Sequence, residues 1–310
     1  MGGRHLKPFL TVYGHVTLDQ ILTVRKFPRD NTSEDVLTKA SSLGGTGTNI
    51  AVAAALLGCP TAIAAFVGKD FPDKYRKFVE SSGLDTEEFV TVDGFDTSTC
   101  VIVNDPNLTQ KVLFYQGPQG FADETGILLN GKARQSDYVH FCTGQPSYYI
   151  KVMKTLGNSQ SVSLDPAQES HRIWNRDCFV PALEMSDSLF CNNFEAESLV
   201  KYAGVDDIFD VDADTVVCTC GGKGSRARIG DEKFDIPVVK ADRVVDATGA
   251  GDSYRAGYYA ALYRNYEKHE ALVIASAVSS FVVEATGALT NIPSWDDVMA
   301  RAEPYLSELC

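Results

Sequence analysis

The sequence is short of positive charge. Its 310 residues carry 28 Lys and Arg against 41 Asp and Glu, a formal net charge of -13 with a pI near 4.8. A field of that sign repels phosphate backbones, which excludes a nucleic-acid partner and an anionic membrane surface; any phosphate bound must be captured by local geometry. Long apolar runs are missing as well. The longest, Ile50 to Leu57, is far too short to cross a bilayer. The N-terminus lacks the apolar core of a signal peptide, which implies a cytoplasmic protein. The eight cysteines stand singly, apart from Cys218 and Cys220 on one expected strand, so buried reduced thiols are expected rather than a metal or disulfide framework. Two glycine signatures fail in turn. The G-x-x-x-x-G-K-[ST] phosphate loop is absent, and Gly45-x-Gly47-x-x-Ile50 lacks the third glycine of a dinucleotide fingerprint.

What is present is an ordinary globular composition, 44% hydrophobic and 22% charged, with enough apolar residues for a sizeable core. A short strand is expected over Phe9 to Gly14. From Thr61 onward strands and helices alternate: Thr61 to Gly68 as a strand, Asp70 to Ser82 as a helix, then strands at Tyr138 to Cys142, Val162 to Asp165, Ser188 to Cys191 and Thr215 to Thr219. Such alternation indicates an α/β fold, a mainly parallel sheet flanked by helices on both faces. Four β-rich segments do not fit that sheet: Ile21 to Phe27, Asp35 to Lys39, Thr99 to Val103 and Lys111 to Tyr115. They read as a small separate sheet, a lid inserted at about 20–40 and 97–116 in a single domain of residues 1–310. An exposed face on such a sheet calls for cover, which points to a homodimer through the lid.

The chain is organised around Asp246-Ala247-Thr248-Gly249-Ala250-Gly251-Asp252-Ser253. It follows the strand-like Arg243-Val244-Val245 and opens a helix-like run from Tyr254 to Leu262. Gly249 and Gly251 permit backbone dihedrals that turn successive N–H groups inward at the positive end of a helix, an anion site. Asp252 in the first turn is then placed to take a proton from an attacking hydroxyl. Phosphoryl transfer needs both parts, while a plain cap and turn is the competing reading. Asp19 is expected at the carboxyl end of the first strand, where it would hold a vicinal diol or merely sit in a solvated turn. Gly44 to Asn49 precedes a helix from Ile50 to Leu57, and Asn49 suits sugar hydroxyls.

Three later strand ends are polar: Asp165-Pro166, Asn192 to Glu195, and Thr219 to Ser225. Asn192 and Glu195 would hold the water shell of a divalent ion or form a helix-start capping pair. Gly221 and Gly224 would let a nucleotide lie against backbone or make a hairpin turn. The loop Thr286 to Asn291 should run beside Asp246, whose carboxylate with loop carbonyls would hold a monovalent cation. Gln116, Gln145, Tyr148 and Gln168 fall in expected loops within reach of a base, and Arg255 is expected to pair with an acidic neighbour.

These motifs together resemble the ribokinase-like carbohydrate and nucleoside kinases, the PfkB family, over essentially the whole chain. Asp246 to Asp252 is similar to the family's C-terminal D-x-x-G-A-G-D signature, with Ala247 where many members have proline or threonine. Gly44, Gly45, Asn49 and Ala51 are similar to its N-terminal glycine-rich signature, and Asn192 to Glu195 to its N-x-x-E element. Gly14 to Asp19, Lys26 to Pro28, Asn31 to Ser33, Asp252 to Gly257 and Ser280 to Ala285 look like the archaeal nucleoside kinases of the family. The resemblance implies ATP with Mg²⁺; K⁺ is the ion expected at Asp246 from the loop beside it. The resemblance also implies Asp252 as general base, the backbone of Gly249, Ala250 and Gly251 as anion hole, and Asp19, Gly45 and Asn49 on the sugar. Gln116 and Gln168 fall to the substrate. Asn192, Thr219, Gly221, Gly224 and Asn291 fall to ATP, and Glu195 reaches the metal through water. The substrate expected is a nucleoside phosphorylated on its 5′ hydroxyl. A sugar or sugar-phosphate kinase is the alternative, with Arg25, Lys26, Lys39 and Lys111 as cations for a second phosphate, and a sensor without catalysis is a third reading.

Overall fold

Short apolar runs buried on both faces build the centre of the molecule. The computed structural model describes residues 7–107 and 110–308. In it β1 (Leu10–Tyr13) leads into β2 (Thr17–Val24), β3 (Val36–Gly44) and α1 (Thr46–Leu56). Next come β4 (Thr61–Val67), α2 (Asp73–Ser81), β5 (Phe89–Thr91), β6 (Thr99–Asn104), β7 (Gln110–Tyr115) and the short α3 (Gly117–Gly120). The alternation then becomes regular: β8 (Tyr138–Phe141), α4 (Pro146–Met153), β9 (Ser161–Leu164), α5 (Arg176–Leu183), β10 (Ser188–Asn192), α6 (Asn193–Ala203) and β11 (Thr215–Thr219). A hairpin of β12 (Ser225–Ile229) and β13 (Glu232–Ile236) precedes α7 (Ala250–Leu262), α8 (Lys268–Val282) and α9 (Trp295–Leu306).

Nine strands pair in the order β13-β12-β11-β10-β9-β8-β1-β4-β5. From β5 to β11 the pairings are parallel, and β12 and β13 close one edge antiparallel. Along β4, Ile63, Ala65 and Val67 enter one buried cluster with residues of α1, α7 and α8, while Ala64 and Phe66 enter a second with residues of α4 and α5. A strand buried on both faces reads as an unbroken apolar run, which is how Thr61–Val67 announces itself. Strand order reverses around β1, which has β4 on one side and β8 on the other. Ligands of open parallel sheets lie outside the carboxyl ends at such a point.

The small sheet has the order β3-β2-β6-β7, two antiparallel hairpins joined by a parallel β2–β6 pairing. It is longer than the sequence implies, since β2 starts at Thr17 and β3 runs on to Gly44. That corrects the place of Asp19, which lies inside β2 rather than at the end of the first strand. Val36, Leu37, Val112, Leu113 and Tyr115 of this sheet stay exposed.

Three further expectations need correction. Arg243 to Val245 is irregular, not a strand: Val244 and Val245 are 76% and 52% exposed, and the segment is tied instead to the end of α8 through the Val245 amide and the Val283 carbonyl at 2.7 Å. β-Branched residues favour strands only where a pleated surface packs them, and none adjoins here. Both glycine-rich stretches also enter their helices early, so that Gly47 and Asn49 lie within α1 and Gly251 within α7, with Asp252 in the first turn as expected. Tyr148 lies buried in α4 with its hydroxyl on the Leu129 amide, and Gln145 just ahead of it accepts from the Asp123 amide, so neither is a free loop group. The described cysteines are free thiols; Cys191 and Cys218 are register partners, and Cys220 lies past the end of β11. Among the described residues no helix is long and apolar enough to cross a membrane.

Candidate active site

The carboxyl ends of β1, β8, β9, β10 and β11 open into one cavity of about 670 Å³, with the first turn of α7 on its wall. Gly249 caps α7 at φ 76°, a left-handed conformation, and a Cβ there would come 2.2 Å from the Cβ of Ala288. Only glycine fits that turn. First-turn amides of a helix have no intrahelical acceptor. The Ala250 amide turns to the Ala247 carbonyl at 3.2 Å, whereas the amides of Gly251 and Asp252 have no acceptor among the described residues. Of the expected nest only the Ala250 amide is taken; among the described residues the Gly249 amide, like that of Gly251, has no acceptor, and the Asp252 amide joins them.

Asp252 Oδ2 accepts from Asn49 Nδ2 at 2.7 Å. Burial pushes its carboxyl up to about 6, against the Asn49 amide and the Arg255 guanidinium, which pull it down. A carboxylate so destabilised is a better proton acceptor than one in water. Asn49 Oδ1 is buried and has no partner among the described residues. It is held in place by the start of α1, where the Gly47 amide donates to the His15 carbonyl at 3.1 Å and a Cβ on Gly45 would come 2.3 Å from that same oxygen. Across the cavity Asp19 takes the Thr17 hydroxyl at 2.6 Å, and burial raises its carboxyl above the ordinary range.

Behind Asp252 lies a charged layer. Arg255, one turn further along α7, donates from Nε to Asp165 Oδ2 at 2.8 Å, which fulfils the expected acidic partner. Burial by itself would raise the Asp165 carboxyl, but Arg255 and His140 outweigh it and hold it below the usual range. At the end of β10, Asn192 and Glu195 form a closed capping pair. The Asn192 amide and side chain donate to the two Glu195 oxygens, each at 2.8 Å, and Asn192 Oδ1 accepts from the Phe194 and Glu195 amides. The capping pattern is thus real, and both side chains still line the cavity. Burial, with the Asp165 carboxylate adding to it, pushes Glu195 up to about 7.

The remaining expected residues divide. Gln168 and Thr219 line the cavity; Gln116, Gly221, Gly224 and Asn291 do not. Gln116 donates to Glu169, Gly221 and Gly224 turn the β11–β12 hairpin, and Asn291 donates to the Phe281 carbonyl at 2.6 Å. Asp246 accepts from the Thr248 and Gly287 amides, both at 2.9 Å, which sets the 286–291 loop beside it as expected. Its carboxyl would rise with burial but is held low by those donors. Arg25, Lys26, Lys39 and Lys111 do not line the cavity. His15, Thr143, Phe114 and Arg172 do, and were not anticipated. His15 and Thr143 stand two residues past β1 and β8, where the strand-end rule would have found them. Arg172, stacked over Phe114 and paired with Glu169 at 3.0 Å, lies in an irregular segment without periodicity, and no sequence signal marks it.

The sequence model of the pfkB family of carbohydrate kinases matches residues 7–295. The chain is 33% identical to a nucleoside kinase of Methanocaldococcus jannaschii over 98% of its own length and 99% of the relative's. It is 32% identical to a nucleoside kinase of Methanothermobacter thermautotrophicus, covering 94% of each chain. Among solved structures it is similar to the Methanocaldococcus jannaschii nucleoside kinase, described as an archaeal member of the ribokinase family, with a TM-score of 0.89 over 96% of this chain and 99% of that one.

Proposed function

The chain belongs to the pfkB family of carbohydrate kinases, and within that family we propose that it moves the γ-phosphoryl group of ATP to the primary (5′) hydroxyl of a nucleoside. One observation carries the reading: the Asp252 carboxyl, pushed up to about 6 by burial, shares the first turn of α7 with open amides on the cavity wall. That two archaeal relatives are named nucleoside kinases supports a nucleoside rather than a free sugar as substrate. The four lid cations named for a second phosphate stand outside the cavity and so lend no support to a sugar-phosphate substrate.

In this scheme the ribose diol lies between Asp19 and Asn49, with the unpartnered Asn49 Oδ1 accepting from one hydroxyl. The 5′ hydroxyl then faces Asp252, which removes its proton as the oxygen attacks. The Gly251 and Asp252 amides, at the positive end of α7, receive charge on the transferring oxygens. Little covalent chemistry is left to the protein, because such transfers depend on alignment and charge stabilisation. Gln168 borders the base, and Gln116 would reach it only by leaving Glu169. Asn192 and Thr219 border the phosphates of ATP, and Gly221, Gly224 and Asn291 its outer part.

The donor set fits a hydrated Mg²⁺ brought with ATP. Both Glu195 oxygens already accept N–H groups and keep lone pairs for water, and among the described residues no group of three or more His, Cys, Asp or Glu stands ready to bind a metal directly. When bound, such an ion neutralises the β- and γ-phosphates. Asp246 retains lone pairs for K⁺; replacing potassium by a large organic cation should lower turnover, and unchanged activity would remove that ion from the scheme. The reading also carries a homodimer through the small sheet and a cytoplasmic location. A panel of nucleosides and sugars incubated with ATP tests the substrate class. A 5′-nucleotide product is expected, and preferential phosphorylation of free sugars would contradict it.

A further inference from the structure

Arg255 is a charge that the scheme above leaves unused. It stands three residues past Asp252 on α7, so its side chain leans back over the first turn of the helix. Although only 5% exposed, it lines the cavity with Gly251, Asp252, Asn192 and Glu195. Asp165 takes its Nε at 2.8 Å and its Nη2 at 3.5 Å, and the Gly251 carbonyl takes Nη1 at 3.3 Å. The Phe190 ring lies 5.6 Å from its Cζ. A guanidinium has five N–H groups. Three are used, and the other two, one on each Nη, have no acceptor among the described residues. His140 packs beside Asp165, with its Nε2 3.4 Å from Oδ2 and its Nδ1 bonded to the Tyr259 hydroxyl at 2.9 Å. Asp165 and the Gly251 carbonyl thus set the plane of the fork.

The charges in the cavity lead the same way. Asp19, Asp165, Glu195 and Asp252 line it, against two guanidinium groups. Of those, Arg172 is bound to Glu169 and stacked on Phe114 of the small sheet. ATP adds further negative charge at the α7 end, where Arg255 stands. A guanidinium whose only role was to tie α7 to β9 would not need to face the cavity.

We propose that Arg255 is a catalytic residue whose two free N–H groups contact the transferring phosphoryl group, a proposal that rests on the kinase reading. In the step, the acceptor oxygen forms its bond to the γ-phosphorus and the bond from that phosphorus to the β–γ bridging oxygen breaks. ADP leaves with the electron pair, and the hydroxyl proton passes to Asp252. Charge on the equatorial oxygens falls on Arg255 and on the Gly251 and Asp252 amides. Asp165 is a positioning residue that aims the fork.

The test compares wild type with Arg255→Met, Arg255→Lys and Asp165→Asn. Turnover with ATP and nucleoside is measured, and calorimetry gives the affinity for ADP alone and for ADP with aluminium fluoride, nucleoside present. ADP affinity should change by no more than about threefold, while kcat and the affinity for the fluoroaluminate complex fall about 10²-fold to 10³-fold in Arg255→Met. Smaller losses of the same pattern are expected for the other two. Arg255→Lys keeps the charge but not the fork, so it carries the test if the Met variant does not fold. Equal losses for ADP and for the fluoroaluminate complex, or no loss in either Arg255 variant, would overturn the proposal and leave Arg255 a tie between β9 and α7. A wild type that binds ADP yet phosphorylates neither nucleosides nor sugars would remove the kinase reading and this proposal together.

Discussion

Asp252, the proposed base, stands at a conflict between stability and chemistry. Burial raises its carboxyl to about 6, so the folded protein holds that proton more tightly than the unfolded chain does. Stability from this group is present in full below the ordinary value of 3.8 and is lost as pH rises through about 6. Asp252→Asn should therefore stabilise the fold at pH 7.5 by about 1–3 kcal/mol, a gain that shrinks toward pH 5; denaturant melts at the two pH values measure it. Catalysis has the opposite sign, because only the ionised form accepts a proton. The acid limb of kcat/KM should rise through about pH 6 in wild type, and Asp252→Asn should lower kcat about 10²-fold to 10⁴-fold with nucleoside binding nearly intact. Asp19→Ala should instead raise KM for the nucleoside with a smaller effect on kcat. An unchanged KM would return Asp19 to a purely structural role beside Thr17.

At the scale of elements, the α7 start depends on two contacts far apart in sequence. Gly249→Ala places a side chain at φ 76° and against Ala288, so a loss of roughly 1–3 kcal/mol is expected from strain of this kind, together with most of the activity. Asp165→Ala leaves Arg255 charged and unpaired in a buried layer, which should cost about 3–5 kcal/mol in urea unfolding. The first of these features is legible in the sequence and the second only in part. Gly249, Gly251 and Asp252 stand together within one turn, and local spacing is enough to read them. Asp165 is visible as a polar strand end, but its partner stands 90 residues away, and His140 and Tyr259 join it from two other elements. Arg243 to Val245 misleads for a related reason: its β-branched residues suggest a strand, but no neighbouring strand is there to pair with it. The small sheet was legible because its four segments alternate apart from the main βα rhythm, whereas its boundaries depend on pairing registers such as Thr17 with Gly44.

On the scale of the whole molecule, an excess of negative charge surrounds a site that must take in ATP. Open amides and one arginine at the α7 end are what the chain itself offers against that field. The exposed apolar side chains of β3 and β7 lie on the sheet that borders the cavity, so cover by a second copy would also steady Phe114 and Val112 at the cavity wall. Light scattering should give twice 33.7 kDa for the wild type, and Val36→Glu with Leu113→Glu should give a monomer; a wild-type monomer at high concentration would count against this interface. The most direct measurement on the protein is phosphorus NMR of the product formed from ATP and a nucleoside by wild type and by Asp252→Asn. A 5′-nucleotide from the wild type, formed at least about a hundredfold more slowly by the variant, is the expected result. No nucleotide from the wild type, or a variant that keeps more than about a tenth of the rate, would contradict the assignment of Asp252 as the base.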